Sequence, residues 1–183
     1  MAEQINDGRT IEVIFSPEKI AIRVDAIARD IAARKPSDLL VVSILKGSFV
    51  FAADLIRALH VAGLSPQVDF MTLSSYGAGT KSSGDVTVSR DMELDVFGRN
   101  VLLVDDILES GRTLAHARHI VAARGARQIE TCVLLDKPVL RAADVKADYI
   151  GFECPDVFVV GYGMDAAYRC RELPYIGRVV TES

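Results

Sequence analysis

The chain has 183 residues, half of them hydrophobic and a quarter charged, with a net charge of −4. That balance suits one globular domain, residues 1–183, with a sizeable core. It argues against a basic groove for nucleic acid or a polybasic membrane surface, and no apolar run approaches the length of a membrane span.

Residues 10–15 (TIEVIF) read as a strand, and Ser16-Pro17-Glu18 reads as a helix start: a capping hydroxyl, a proline in the first turn, an early acid. Ile20, Val24, Ile27 and Ile31 then recur at spacings of four, three and four, one apolar helix face. Residues 39–45 are almost wholly apolar, as expected of a strand covered on both faces. A helix over 49–59, ended with the help of Gly63, and a strand over 68–73 follow. From Ser74 to about Arg90 the pattern collapses into Gly, Ser and Thr, the composition of a surface hairpin or a mobile lid. Residues 101–104 are a buried strand, 113–124 a helix stopped by Gly125, and 129–135 and 157–160 two more strands. Strands alternating with helices predict an α/β fold: a doubly wound, mainly parallel sheet with helices on both faces. The polar N-terminal segment lacks the apolar core of a signal peptide, and Cys132, Cys154 and Cys170 have neither zinc-ligand nor redox spacing. Buried thiols in a reducing cytoplasm are the expectation.

Chemistry concentrates in residues 101–114, VLLVDDILESGRTL. In such sheets ligands bind beyond the carboxyl ends of the strands, where Asp105 and Asp106 are expected. The backbone N–H groups of the following ESGRT segment, with the helix dipole, make a site for a phosphate. Ser110 and Thr113 add hydroxyls, Arg112 a cation, and Gly111 lets the backbone approach the ligand. The two carboxylates would repel that phosphate. They suit sugar hydroxyls or a divalent cation, which together indicate a phosphorylated polyol with Mg²⁺. Glu109, between the two zones, is placed to exchange a proton with the reacting part.

Two other phosphate motifs are excluded. No Walker loop is present. A dinucleotide fingerprint does occur, running from Gly161 to Ala166, but the residues after it are too few for the helix, second strand and ribose-binding acid it requires.

VLLVDDILESGRTL resembles the signature of type I phosphoribosyltransferases, which bind phosphoribosyl pyrophosphate. Leu45-Lys46-Gly47 resembles their pyrophosphate loop, and Ser75-Tyr76-Gly77 the start of their flexible lid. Leu134-Leu135-Asp136-Lys137 and residues 158–165 (FVVGYGMD) resemble the base-recognition elements of the hypoxanthine and hypoxanthine-guanine members. Leu173-Pro174-Tyr175-Ile176-Gly177 fits the bacterial members.

The resemblance implies the type I fold, with a lid at about residues 74–90 and a small hood over the base from the N- and C-terminal segments. It implies transfer of phosphoribosyl to a 6-oxopurine, hypoxanthine with or without guanine, with Mg²⁺, in a homodimer or homotetramer. Residues Glu109 to Thr113 would hold the 5′-phosphate, and Asp105 and Asp106 the ribose hydroxyls near Mg²⁺. Lys46, after a cis peptide, and Gly47 would bind pyrophosphate, with Arg171 reaching it and Asp165 holding a second Mg²⁺. Lys137 would donate to the purine 6-oxo group, Phe158 would stack on the ring, and the Val159 backbone would read its edge. The chain departs from the pattern at Glu109, where members usually carry Asp, and at Ala166 and Tyr168, where many carry an aromatic and a Glu. The alternative is a regulatory protein of the same fold that senses phosphoribosyl pyrophosphate or nucleotides.

Overall fold

A computed structural model describes residues 2–4, 10–75 and 86–180. The elements in chain order are β1 (Ala2–Gln4), β2 (Thr10–Phe15), α1 (Pro17–Ala33), β3 (Leu39–Leu45), α2 (Phe49–Val61), β4 (Gln67–Ser75), β5 (Val86–Arg90), β6 (Asn100–Leu108), α3 (Arg112–Ala123), β7 (Gln128–Asp136), β8 (Tyr149–Glu153), β9 (Val159–Val160) and β10 (Ile176–Val180). They form two sheets. The larger has strand order β5-β4-β3-β6-β7-β8 and the smaller β1-β2-β10-β9. Pairing in the larger sheet is parallel except at β5, which runs antiparallel to β4. The smaller sheet is antiparallel throughout.

The sequence patterns explain this layering. Ser16 caps α1, its hydroxyl accepting from the Lys19 N–H at 3.4 Å, and the predicted stripe Ile20, Val24, Ile27, Ile31 is fully buried. Each such aliphatic side chain contributes roughly 1.5–3 kcal/mol on leaving water. The stripe packs with Phe51, Leu55 and Leu59 of α2 against Leu39 and Val41 of β3, Leu102 and Val104 of β6, and Leu134 of β7. Alternate residues of the same strands, Leu40, Val42, Leu103 and Val133, face the other way and meet Leu114, Ala117 and Val121 of α3. The period-two alternation of a strand, with both faces covered, explains why these runs are apolar at nearly every buried position. The three cysteines are buried and free.

The structure corrects several expectations. Residues 157–160 supply only the two-residue β9, and it belongs to the small antiparallel sheet rather than the parallel one. Strands β1, β8 and β10 were not expected, whereas β5 is a return strand of the kind a hairpin over 74–90 requires. The stretch 74–90 is strand at both ends, since β4 and β5 pair as an antiparallel ladder. Ser75 ends β4, whereas Tyr76 and the rest of the expected lid up to residue 85 lie outside the described residues. Strand β6 also does not stop at its acids. It leaves β3 after Val104 but stays paired with β7 as far as Leu108 opposite Asp136. The strand is thus open on one side over Asp105 and Asp106, and that opening is where the site lies.

Candidate active site

Eight of the expected residues line one polar cavity of about 320 Å³: Lys46, Gly47, Asp105, Asp106, Glu109, Ser110, Gly111 and Thr113. Three connections converge there: β3 to α2, the extension of β6, and β6 to α3. A larger cavity of about 860 Å³ lies between α1, α2 and the 171–174 segment, but its walls are mostly apolar. Both cavities carry charged groups, but only the smaller brings an adjacent acid pair, a lysine and the start of a helix together, so we assign the chemistry to it.

The Leu45–Lys46 peptide is cis. Ser48, which follows this turn, does not cap α2 with its side chain. Its hydroxyl instead donates to the Ile44 carbonyl and lies 2.7 Å from the Ser43 hydroxyl, which ties the turn to the strand before it. Gly47 has no room for a side chain: a Cβ there would lie 1.7 Å from Asp106 Oδ2.

Asp105 accepts from the Asp106 N–H at 3.0 Å, and Asp106 accepts from the Ile107 N–H at 2.9 Å. Burial pushes both carboxyls above the ordinary aspartate range, and for Asp105 the neighbouring charge of Asp106 adds to the effect. Two buried acids side by side require a proton or a cation. Among the described residues no cluster of three or more acidic, histidine or cysteine groups could hold a metal alone. The pair therefore fits a hard divalent cation that takes its other oxygens from a ligand.

At the start of α3, Gly111 adopts φ +78°, and a Cβ there would meet Val145 Cγ1 at 2.6 Å. Left-handed backbone and close packing together call for glycine. The first N–H groups of a helix have no partner within it, and here they open onto the cavity beside Ser110 and Thr113. Arg112 is present through its backbone, its N–H lying 3.4 Å from Ser110 Oγ. Its side chain is exposed and does not line the cavity, contrary to the expected cationic role.

The Glu109 carboxylate turns away from this nest. Its Oε1 accepts from Lys137 Nζ at 2.7 Å, and the same ammonium lies 3.2 Å from Asp156 Oδ1 and 3.4 Å from the Val157 carbonyl. Lys137 is only 6 % exposed. Burial opposes its charge, but the hydrogen bonds from Glu109 and Asp156 outweigh that and raise its pKa above the usual lysine value. Just beyond, Phe158 is 61 % exposed, far from the core position its strand flanks would suggest. Val159 lies on β9, the edge strand of the small sheet, where backbone groups are available to a ligand.

Asp165 and Arg171 are brought together, Arg171 Nη2 donating to Asp165 Oδ1 at 2.7 Å while Nη1 donates to the Gly163 carbonyl at 2.7 Å. The Tyr168 N–H donates to Asp165 Oδ2 at 2.7 Å, so both oxygens of Asp165 are engaged within the protein. This loop abuts the first one, since a Cβ on Gly163 would come within 2.2 Å of the Gly47 carbonyl oxygen.

Two residues were missed. Asp156 is one. The other is Arg141, which donates to the carbonyls of Glu109 at 3.0 Å, Leu108 at 3.2 Å and Val145 at 2.7 Å, and pairs with Asp136. It braces the phosphate loop from behind. An arginine in a polar loop gives no sequence signal of such a role.

Residues 10–167 match the model of the phosphoribosyl transferase domain. The chain belongs to the phosphoribosyl transferase family. Among curated relatives of this phosphoribosyl transferase, the hypoxanthine phosphoribosyltransferase of Escherichia coli K12 is 45% identical over 93% of this chain and 96% of its own. The hypoxanthine-guanine phosphoribosyltransferase of Bacillus subtilis is 43% identical over 91% of each chain. The crystal structure of a hypoxanthine phosphoribosyltransferase from Staphylococcus aureus superposes with a TM-score of 0.86 at 38% identity, covering 92% of this chain and 91% of that one. The comparisons give the regulatory alternative no support.

Proposed function

We propose that this phosphoribosyl transferase converts phosphoribosyl pyrophosphate and a 6-oxopurine, hypoxanthine or guanine, into the nucleoside monophosphate and pyrophosphate. One observation carries the choice of base: a buried ammonium, Lys137, stands beside an exposed aromatic segment and offers only donors. A 6-oxo group accepts from it. A 6-amino group would face it with nothing to accept.

In this reading the α3 nest and the hydroxyls of Ser110 and Thr113 hold the 5′-phosphate. Lys46 and the Gly47 backbone face the pyrophosphate, whose charge grows as it leaves. Arg171 lines the larger cavity, and its charge acts on Asp106, which suits a reach to the same pyrophosphate. Asp105 and Asp106 accept from the ribose hydroxyls and would hold Mg²⁺, which when bound would stabilise that leaving charge. The bond from the anomeric carbon to pyrophosphate breaks, the bond to the purine nitrogen forms, and that nitrogen's proton passes to Glu109, within reach of the base subsite through its contact with Lys137. Phe158 stacks on the ring, and the Val159 backbone reads its edge. The small sheet, built from both ends of the chain, forms the hood of a single domain. Both oxygens of Asp165 are engaged with protein partners, which favours a metal contact through water there. A cytoplasmic location belongs to this reading, and no helix among the described residues is long and apolar enough to cross a membrane. A homodimer or homotetramer belongs to the same reading.

A spectroscopic assay of hypoxanthine, guanine, xanthine and adenine with phosphoribosyl pyrophosphate and Mg²⁺ tests it. Turnover of hypoxanthine or guanine, and little of adenine, is expected. No turnover of any purine would overturn the assignment.

A further inference from the structure

Lys137 has three N–H donors, and each has an acceptor: Glu109 at 2.7 Å, Asp156 at 3.2 Å and the Val157 carbonyl at 3.4 Å. The acceptors come from two places. Glu109 stands at the head of the phosphate loop, after β6. Asp156 and Val157 are consecutive and lead directly into Phe158 and Val159. A purine 6-oxo group must take the place of one acceptor. We take Glu109 as the one that leaves, because it has its own task with the purine proton; the two carboxylate side chains are similarly half-exposed. Asp156 and Val157 then remain.

We propose that Asp156 is a positioning residue for purine recognition: it fixes the Lys137 ammonium relative to the Phe158 ring and balances its charge when Glu109 turns to the substrate. The proposal rests on the reading that this chain binds a 6-oxopurine at Lys137. Its physical basis is that a buried ammonium must be paired when it is desolvated. With Glu109 withdrawn, Asp156 is the remaining carboxylate on Lys137. A carboxylate from the strand entry that also carries Phe158 makes the distance between the cation and the stacking ring a property of a short stretch of chain. Tertiary packing alone does not have to set it.

Charge-assisted hydrogen bonds are among the stronger polar contacts, so removing this one should be visible in binding. Asp156→Ala is expected to raise the KM for hypoxanthine about 5- to 50-fold while the KM for phosphoribosyl pyrophosphate stays within about twofold. Asp156→Glu should recover part of the loss, and Asp156→Asn less, since its amide oxygen is a weaker acceptor. The deciding measurement is a double-mutant comparison. In a Lys137→Ala background, Asp156→Ala should add almost nothing to the purine KM, because its effect passes through Lys137. Additive losses, equal rises in both KM values, or an unchanged purine KM in the single variant would each overturn the positioning role. The Asp156 side chain is half-exposed, and matching melting temperatures of parent and variant exclude misfolding as the cause. A parent protein with no purine transfer at all would overturn the functional reading itself, and the role of Asp156 with it.

Discussion

Gly47 and Asp106 touch so closely that a Cβ on Gly47 would lie 1.7 Å from the Asp106 carboxylate oxygen. The turn that ends β3 and the acid pair on β6 are thus in direct contact, with no room for a side chain on Gly47 while the Asp106 carboxylate stays where it is. Replacing Gly47 with Ala would push the carboxylate out of the position it needs for ribose or metal. Turnover should fall by at least about 10²-fold, the scale of a displacement near an ångström at a reacting centre. Steady-state kinetics give the answer, and a Gly47→Ala enzyme within threefold of the parent would refute the fit.

Glu109 gives the second prediction. Its carboxylate faces Lys137 and the base subsite rather than the phosphate nest. That orientation favours a proton acceptor over a simple loop closure. Glu109→Gln keeps the shape and can still accept from Lys137, but it cannot take a proton. Turnover should drop about 10²- to 10⁴-fold, with binding of phosphoribosyl pyrophosphate little changed. Glu109→Asp retains the carboxylate and should keep substantial activity. If Glu109→Gln turned over within about threefold of the parent, this carboxylate would have no part in a rate-limiting proton transfer.

Base choice is tested at Lys137. Adenine should react at below about 1% of the hypoxanthine kcat/KM, because a site built around a donor rejects a ligand without an acceptor. Lys137→Ala should raise the purine KM more than that of phosphoribosyl pyrophosphate. It should also lower the melting temperature, since Glu109 and Asp156 would then face each other without their shared cation. Comparable use of adenine and hypoxanthine by the parent would remove Lys137 from base recognition.

The acid pair makes metal dependence and pH dependence one question. Burial holds protons on Asp105 and Asp106 above the ordinary aspartate range, and a cation must displace them. Activity should vanish in excess chelator and return with Mg²⁺. The Mg²⁺ concentration needed for half activation should fall as pH rises from acid toward neutral, as the competing protons are lost. Undiminished turnover in chelator would sink the metal role, and a half-activation concentration rising with pH would sink the competition.

Arg141 supplies a prediction the sequence could not. It binds the carbonyls of Leu108, Glu109 and Val145 and pairs with Asp136. Arg141→Ala would remove this donor from the Glu109 and Val145 carbonyls and from Asp136, at about 1–3 kcal/mol for an unsatisfied group, while Leu108 keeps the Lys137 N–H at 2.9 Å. The melting temperature should fall by several degrees. The KM for phosphoribosyl pyrophosphate should rise more than that for the purine, because the loop it braces is the phosphate loop. Calorimetry and kinetics on the same preparation check both.

What could be read from the sequence was what lies close together along the chain. The acid pair, Glu109, Ser110, Gly111 and Thr113 fall within a single strand-to-helix turn, so their common cavity follows from local rules. The α1 stripe and the two-faced β3 were legible for the same reason. The Glu109–Lys137 pair was not, because it depends on β6 lying beside β7 with Leu108 opposite Asp136. Given that register, the residues that follow each strand are neighbours. Strand β10 escaped notice because Gly177 and Arg178 interrupt its apolar residues and its partner β2 lies at the other end of the chain. The Asp165–Arg171 contact depends on a turn with positive φ at Ala167 and Tyr168, a conformation neither residue type favours.

The small sheet has a consequence for how the chain comes into being. Every strand of the six-stranded sheet lies before residue 154, and so do Lys46, Gly47 and the whole run from Asp105 to Thr113. Strand β9, by contrast, is held to β2 only through β10. N-terminal segments leave the ribosome first, whereas a domain folds as a unit. A nascent chain stalled near residue 154 would therefore carry the residues proposed for the ribose and 5′-phosphate but lack Asp156 and Phe158, proposed for the base, and Asp165 and Arg171, proposed for metal and pyrophosphate. Residues 154–183, the last to be made, would complete both ends of the proposed site.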